Sequence, residues 1–336
     1  MKTPVAYLRA ISYYTPDSIL GNGELATLFP GWTVEKVAEK VGISNRHIVE
    51  EGECASDLAV KAAEKLFIEH SIDSTSIDFI LLCTQSPDYF LPTTACVLQD
   101  RLKLPTTAGA LDFNLGCSGF VYGLALAKGL VVSGIAKNIL LITAETYSRH
   151  IHPRDRSNRT IFGDAATASL VSVSGFASIE DFSLGTDGSG AGNLIVKTGG
   201  FRNRKEAKDL SFDELGNPVS SDYLFMDGPE ILSFTLGAVP EIVKKTLQMN
   251  KLLKEDVDLF VFHQANKYIL EILRKKIGID ESKFYYCIEN FGNTVSSTIP
   301  IALAAAHHEG RLQGNVMLVG FGVGYSWGGC VLKVKN

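Results

Sequence analysis

The chain repeats one pattern of elements, and this repeat limits the folds it can adopt more than any other feature. Residues 77–84 and 257–264 are short apolar segments of the same polarity, 180 positions apart, and each follows a segment with helical periodicity. Residues 137–142 match 314–319 in the same order along the chain. Because matched blocks recur at offsets of 176 to 180 residues, the sequence indicates two related halves.

Each half is predicted to alternate strands with helices and to end in strands, at 167–173 and 330–334. This pattern favours a mixed and largely buried sheet in each half. Helix 119–133 is apolar on nearly every face, so we expect it to lie between layers. The predicted fold class is α/β with five layers, α-β-α-β-α, and two mixed sheets. It is divided into an N-terminal half, 1–174, and a C-terminal half, 175–336.

The composition argues against several classes of function. Of 336 residues, 46% are hydrophobic and 21% are charged, which is not the composition of a disordered chain. The net charge of −5 gives no general attraction for nucleic acid or an anionic membrane. Lys128 and Lys137 interrupt the longest apolar region, so we expect no membrane span. The first residues lead into polar ones rather than an apolar segment, so we expect no secretory signal. The six cysteines include no Cys-x-x-Cys pair, so we expect a cytoplasmic protein without a metal site.

Cys117 is the first candidate for chemistry, since it lies between a predicted strand and the start of helix 119–133. Unpaired backbone N–H groups and the positive end of the helix dipole surround such a position. Both favour the thiolate, so we expect the pKa of Cys117 to fall below its usual value of about 8.5. An inert buried cysteine is the ordinary alternative.

The repeat adds His263 and Asn293 to this candidate. His263 ends the strand that corresponds to 77–84, and Asn293 occupies the helix start that corresponds to Cys117. A pseudo-twofold axis would bring both helix starts to the centre, so Cys117, His263 and Asn293 would face one cavity. Each residue also has a structural interpretation when it is taken singly. For His263 it is a hydrogen-bonded core residue, and for Asn293 it is a turn or N-cap residue.

Three further segments are rich in glycine or charge. Residues 320–329 lie between two predicted strands, whereas a dinucleotide-binding turn would lead into a helix. We interpret this turn as a source of backbone N–H groups for an oxyanion. Residues 187–192 are interpreted as a plain turn, and 199–222 as a long surface loop or lid.

With these segments placed, the sequence resembles the β-ketoacyl-acyl carrier protein synthase III family, the initiating condensing enzymes of bacterial fatty-acid synthesis. The resemblance covers nearly the whole chain, and its most specific parts are 116–120, 155–156, 161–165, 263–266, 292–294 and 321–324. It implies a thiolase-like duplicated fold, a homodimer and a catalytic triad of Cys117, His263 and Asn293.

The resemblance also implies a decarboxylating Claisen condensation. Cys117 would take the acyl group from an acyl thioester, while the N–H groups of Cys117 and Val323 hold the oxyanion. Malonyl-acyl carrier protein would then lose carbon dioxide, and His263 and Asn293 would donate hydrogen bonds to the enolate oxygen. The implied product is a 3-oxoacyl-acyl carrier protein, made without a metal or redox cofactor.

Departures from the family pattern bear on the substrate. Lys36 and Lys40 stand where the family carries the Trp and Arg that grip coenzyme A, whereas Arg156 matches another nucleotide-contacting Arg. Leu91 replaces the usual Phe that caps the acyl pocket across the dimer, and Asn266 is assigned to substrate binding. The donor stays open between acyl-CoA and another acyl thioester. The alternative function is a specialised acyltransferase or ketosynthase of secondary metabolism, using a donor other than acetyl-CoA.

The helix after His263 carries a basic cluster. Lys267, Lys275 and Lys276 are predicted to dock the acidic acyl carrier protein. Charged clusters on helices are more commonly solvated surfaces, which is the alternative here.

Two other classes of protein share part of the pattern. A papain-like cysteine hydrolase has the same order of Cys, His and Asn, but the Cys-Trp context of that family is missing. A non-catalytic interaction protein of this fold would form no acyl-enzyme. Neither alternative accounts for both the repeat and the reactive residues.

Overall fold

The fold is described from a computed structural model that covers residues 4–29, 31, 33–214 and 216–335, without the side chains of Val37 and Lys40. The predicted helix 119–133 is confirmed by a helix over Gly119–Val132. The helices are α1 Asn22–Leu28, α2 Val34–Val41, α3 Ala55–Glu69, α4 Thr94–Arg101, α5 Gly119–Val132, α6 Arg156–Arg159, α7 Gly228–Asn250, α8 Lys267–Ile277 and α9 Thr298–His308.

Among the described residues, nine strands form one mixed sheet in the order β13-β14-β15-β8-β1-β7-β6-β4-β5. Six short strands pair outside it, in the pairs β2-β3, β9-β12 and β10-β11. The strands are β1 Tyr7–Tyr14, β2 Ile19–Gly21, β3 Asn45–His47, β4 Phe79–Cys83, β5 Gly109–Phe113, β6 Asn138–Glu145, β7 Ala165–Ser172, β8 Ala177–Thr186, β9 Leu194–Ile195, β10 Ser211–Phe212, β11 Pro218–Val219, β12 Phe225–Met226, β13 Leu259–Phe262, β14 Asn315–Gly322 and β15 Ser326–Val334.

The duplication is visible in the strand pairing. In the first half β4 runs parallel to β6, and β6 pairs antiparallel with β7. In the second half β13 runs parallel to β14, and β14 pairs antiparallel with β15. The halves join where β1 pairs with β8, through Tyr7 with Ser178 and Leu8 with Ala177. The two predicted sheets therefore meet at a narrow junction, which pairs backbone groups that would otherwise be unsatisfied.

Helix α5 lies in the middle of the molecule, as its apolar sequence predicts. Its Phe120 and Leu124 are fully buried in one cluster with Leu303 of α9. Burying a side chain of this size stabilises the fold by about 1.5–3 kcal/mol. Because α5 follows Cys117 and α9 follows Asn293, this shared cluster brings the two segments together at the centre of the fold.

Helix α9 begins later than the repeat predicts. It starts at Thr298, five residues after Asn293, and a single 3₁₀ turn, Val295–Ser297, precedes it. Val295 has a φ of 55°, which is a left-handed conformation, so a right-handed helix cannot run through it. The residues between Asn293 and Thr298 therefore form a loop with its own geometry.

The charged segment 199–222 lies on the surface, as expected of a loop or lid. In its described part, the short strands β10 and β11 pair with each other and form the regular secondary structure. Residues 187–192, expected as a plain turn, form most of a 3₁₀ segment, Gly188–Asn193. Across the described chain we find no helix with both the length and the apolar content needed to span a bilayer.

Candidate active site

Cys117 lies in the turn between β5 and α5, and 7% of its surface is exposed. Two backbone N–H groups lie near its sulfur and lower its pKa, its own and that of Val323, which is in the turn between β14 and β15. That turn can approach closely because Gly322 has no side chain, and a Cβ there would lie 2.9 Å from the sulfur. The two N–H groups expected to form an oxyanion hole therefore lie beside the candidate nucleophile.

The protonation state of Cys117 differs from the prediction. Burial and, after it, the charge of Glu145 raise the pKa of the thiol to about 12, although the N–H groups of Cys117 and Val323 lower it. The predicted fall in the pKa was wrong, because loss of hydration on burial outweighs the helix start. Cys117 is therefore a neutral thiol in the folded chain.

His263 follows β13, and its ring is buried against the edge of Phe321, with the ring centroids 5.4 Å apart. Its Nδ1 atom lies 2.7 Å from the Thr298 hydroxyl oxygen. Its Nε2 atom lies 3.5 Å from Nδ2 of Asn293. Burial lowers the pKa of His263 to about 3, so the imidazole is neutral.

Hydrogen bonds of both its backbone and its side chain fix the position of Asn293. Its N–H donates to the Ile161 carbonyl at 2.8 Å, and its own carbonyl accepts from the Gly163 N–H at 3.0 Å. The side-chain oxygen accepts from the Val295 N–H at 2.9 Å. This bond turns the Nδ2 group of Asn293 toward His263.

The side chains of Cys117, His263 and Asn293 line one cavity of about 220 Å³. At the α8 side the wall includes Asn266, whose side chain caps α8 by accepting the Ile269 N–H at 2.8 Å. The rest of the wall is mainly apolar and includes Tyr147, Ile161, Phe162, Leu194, Met226, Ile231, Leu232 and Phe321. The structure thus brings together three side chains that are spread over 176 residues of the chain.

A larger cavity, of about 730 Å³, adjoins the first and shares Tyr147 and Leu194 with it. Val323 also lines it, so the larger cavity reaches the turn that faces Cys117. Its wall carries polar side chains as well, namely Gln85, Ser86, Asn114 and His150. A thioester at Cys117 could therefore place its two arms in two different cavities.

Glu145 was missed by sequence reasoning. It ends β6 in the core with no exposed surface, and it accepts hydrogen bonds from the Gln85 N–H at 3.0 Å and the Ser296 hydroxyl at 2.7 Å. Burial raises the pKa of Glu145 to about 8. The available signal was a single charged residue at the end of the mainly apolar strand β6.

Of the residues predicted to bind the substrate, Asn266 lines the smaller cavity, whereas Arg156 and Leu91 do not. Arg156 begins α6 beside Gly216 of the surface loop, and it lines neither of the two cavities just described. Leu91 is 79% exposed and also lies outside both. The side chain of Lys40 lies outside the described residues.

The three predicted docking lysines have different surroundings. Lys267 begins α8 and packs against Gly42, where α2 ends. Lys275 is exposed and lies 3.6 Å from the Glu271 carboxylate, whereas Lys276 is exposed on the same helix. In the described chain no group of three or more His, Cys, Asp or Glu side chains is arranged to hold a metal ion.

The chain is similar in sequence to proteins of one known family. Residues 111–188 match the family 3-oxoacyl-[acyl-carrier-protein (ACP)] synthase III, and residues 247–334 match its C-terminal family. The chain is 35% identical to the β-ketoacyl-[acyl-carrier-protein] synthase III of Clostridium tetani, with 99% of each chain covered.

Solved structures agree with this match. A crystal structure of a 3-oxoacyl-(acyl-carrier-protein) synthase III has 48% identity and a TM-score of 0.96, covering 98% of this chain and 100% of that one. A 3-oxoacyl-(acyl-carrier protein) synthase from Burkholderia xenovorans has 38% identity and a TM-score of 0.90, covering 99% and 95%.

The duplicated mixed α/β fold, with reactive side chains from both halves in one cavity, is that of the thiolase-like class of proteins. The matched segments contain the loops that carry Cys117, His263 and Asn293. Within that class, the chain belongs to the 3-oxoacyl-[acyl-carrier-protein] synthase III family.

Proposed function

We propose that the chain condenses an acyl thioester with malonyl-acyl carrier protein, with loss of carbon dioxide, through an acyl-Cys117 intermediate. The product is a 3-oxoacyl-acyl carrier protein. The observation that carries the proposal is that Cys117, His263 and Asn293 line one cavity, with the Val323 N–H close to the Cys117 sulfur. The names of the similar proteins support the same reaction.

In the first half-reaction the Cys117 sulfur attacks the thioester carbonyl carbon, and the carbon–sulfur bond to the leaving thiol breaks. The proton that Cys117 loses passes to that leaving thiol. Since burial holds the pKa of Cys117 near 12, proton loss and bond formation are expected to occur together. The N–H groups of Cys117 and Val323 stabilise the oxyanion, and one such donor is typically worth about 10²–10³ in rate.

In the second half-reaction the malonyl carboxylate leaves as carbon dioxide, and its electron pair forms an enolate. The enolate carbon attacks the acyl carbonyl, the bond to the Cys117 sulfur breaks, and the released thiolate takes up a proton from water. The Asn293 amide and the neutral His263 ring suit this step because neither carries a negative charge that would repel the enolate. An aspartate at position 293 would repel it.

The two cavities suggest how the donor lies. We assign the thiol arm of the substrate to the smaller cavity beside Asn266 and the acyl group to the larger cavity. Gln85 and Asn114, joined by a hydrogen bond of 3.2 Å, give the acyl side a partly polar wall. Arg156 and Lys40 are proposed to contact the nucleotide when the donor is an acyl-CoA.

The proposed partners are a second copy of the chain and the acyl carrier protein. Strand β5 lies at one edge of the sheet, and Leu91 is exposed near it, which supports a homodimer in which Leu91 caps the larger cavity of the other subunit. Lys267, Lys275 and Lys276 are proposed to dock the carrier protein. A cytoplasmic location belongs to the same proposal and rests on the family resemblance.

The proposal is tested by following both half-reactions with intact protein. Incubation with acetyl-CoA should add one acetyl group to Cys117, detected by mass spectrometry, and malonyl-acyl carrier protein should then release carbon dioxide and form the 3-oxoacyl product. Cys117→Ala should lose the adduct and the product, whereas Cys96→Ala, a change at an exposed cysteine, should keep both. Acylation of Cys117 without release of carbon dioxide would instead indicate a simple acyltransferase.

A further inference from the structure

Two side-chain amides, those of Gln85 and Asn114, lie together in the wall of the larger cavity, and we call them the amide pair. Gln85 follows shortly after strand β4, and Asn114 comes directly after strand β5. Because β4 and β5 are parallel neighbours, with Cys83 paired to Phe113, their carboxyl ends meet at the same end of the sheet. Gln85 Nε2 donates to Asn114 Oδ1 at 3.2 Å. The amide pair therefore lies where the turn that carries Cys117 begins.

The side-chain oxygen of Gln85 has no hydrogen-bond partner among the described residues. The backbone of Gln85 is fixed, since its N–H donates to the Glu145 carboxylate at 3.0 Å. Its Oε1 atom is buried and unpaired. A Cβ on Gly116 would lie 2.6 Å from this oxygen, so the oxygen packs against the residue directly before Cys117. A buried acceptor without a donor is unfavourable, which points to a ligand that supplies the missing hydrogen bond.

The amide pair leaves one donor and one acceptor for that ligand. The bond between the two amides uses the nitrogen of one and the oxygen of the other, so Gln85 Oε1 and Asn114 Nδ2 remain. Turning both amides over would leave Gln85 Nε2 and Asn114 Oδ1 instead, which is again one donor and one acceptor. A hydroxyl group can donate and accept at the same time, whereas an alkyl chain can do neither.

Two other polar side chains of the same wall already have partners within the chain. The Ser86 hydroxyl accepts the Thr146 N–H at 3.3 Å and lies 3.4 Å from the Glu145 carboxylate. His150 Nε2 lies 3.4 Å from the Gln85 carbonyl oxygen. The amide pair differs from both, because it keeps polar atoms for a ligand.

We propose that the acyl group is a short hydroxyacyl group, whose hydroxyl bonds to the amide pair while its carbonyl carbon is attached to Cys117. The inference rests on the proposed function, in which the acyl group occupies the larger cavity. In the described chain a single hydrogen bond holds the Gln85 side chain, so the amide can turn toward the hydroxyl. Its contact with Gly116 favours a hydroxyl on the second or third acyl carbon. Gln85 then determines specificity and takes no part in making or breaking bonds.

The test compares how fast butanoyl-CoA, 2-hydroxybutanoyl-CoA and 3-hydroxybutanoyl-CoA acylate Cys117, measured by mass spectrometry of the intact protein. At least one hydroxyacyl thioester should react about tenfold faster than butanoyl-CoA, because a site with unpaired polar atoms disfavours an analogue that leaves them unpaired. If butanoyl-CoA reacts as fast as both hydroxyacyl thioesters, or faster, the inference is wrong.

A variant of Gln85 assigns the preference to the amide pair. Gln85→Leu keeps a side chain of similar size without polar atoms, and it should reduce the preference for the hydroxyacyl thioester by about tenfold. Gln248→Leu makes the same change at an exposed site on α7 and should keep the full preference. A preference that is the same in Gln85→Leu as in the unchanged enzyme would exclude recognition by Gln85.

Binding without reaction separates this inference from the proposed function. In Cys117→Ala the thioesters cannot acylate the protein, so isothermal titration calorimetry gives their dissociation constants. The preferred hydroxyacyl thioester should bind about tenfold more tightly than butanoyl-CoA, and Gln85→Leu in the same background should remove the difference. If no thioester acylates Cys117 in the unchanged enzyme, the proposed function fails, and the dissociation constants still decide the role of Gln85.

Discussion

At the scale of single residues, burial decides the charge state of the site. Burial raises the pKa of Cys117 to about 12 and lowers that of His263 to about 3, so both side chains are neutral. Burial raises the pKa of the Cys117 thiol even though the start of α5 favours the thiolate, because a helix terminus contributes at most about 2 kcal/mol. The site therefore holds uncharged groups that move a proton only during reaction.

From the buried carboxyl group of Glu145 we predict how the unfolding free energy depends on pH. Its pKa is raised by burial to about 8, well above its value in an unfolded chain, so its contribution to stability is fully present below about pH 4.5. That contribution is lost as the pH rises toward 8, by up to about 1.4 kcal/mol per pH unit. Glu145→Gln should lose less unfolding free energy between pH 5 and 8 than the unchanged chain, measured by urea denaturation.

The matched control for Glu145 is Glu64→Gln, since Glu64 is exposed on α3. Its stability should follow the unchanged chain at every pH. Parallel curves for Glu145→Gln and the unchanged chain would contradict the prediction, because a carboxyl group that ionises equally in both states contributes no slope.

At the scale of elements, α8 determines which lysines can act together. With about 100° per residue, Lys275 lies about 80° around the helix from Lys267, whereas Lys276 lies about 180° from it. Lys267 is also at the end of α8 that borders the smaller cavity, next to Gly42. The helix therefore presents Lys267 and Lys275 on one side and Lys276 on the other.

Charge reversal on α8 should separate these lysines. Lys267→Glu with Lys275→Glu should raise KM for malonyl-acyl carrier protein by about tenfold at low salt, because exposed charges guide association with an acidic partner. The single change Lys276→Glu should raise this KM less, since Lys276 lies on the other side of α8. A small malonyl thioester should be unaffected in steady-state kinetics, and equal changes for both substrates would rule out docking on α8.

At the scale of the whole molecule, the halves share one sheet and one central core. The junction between β1 and β8 is only two residue pairs wide, and one buried cluster that includes α5 and α9 also joins the halves. The sheet ends at β13 and at β5. An exposed edge strand can pair with another chain, and β5 is the edge on the nucleophile's side.

The proposed homodimer can be tested at β5. If β5 pairs antiparallel with its own copy, the central residue Leu111, which is 46% exposed, meets the same residue of the second chain. Leu111→Glu should place two like charges together and weaken the dimer in analytical ultracentrifugation. Leu253→Glu, at an exposed site on a loop, should leave association unchanged. A dimer that is equally stable in both variants would exclude pairing through β5.

The sequence by itself determined the repeat, the alternation of strands and helices, and the buried position of α5, because periodicity is a local property of the chain. It also singled out Cys117, His263 and Asn293 as candidates. The tertiary structure decided the pKa directions, the burial of Glu145, the meeting of the two sheets and the partner of His263. Thr298 lies 35 residues from His263, and the sequence around Thr298 does not indicate that the two side chains meet. Hydration and hydrogen-bond partners depend on residues distant along the chain, so only the folded arrangement specifies them.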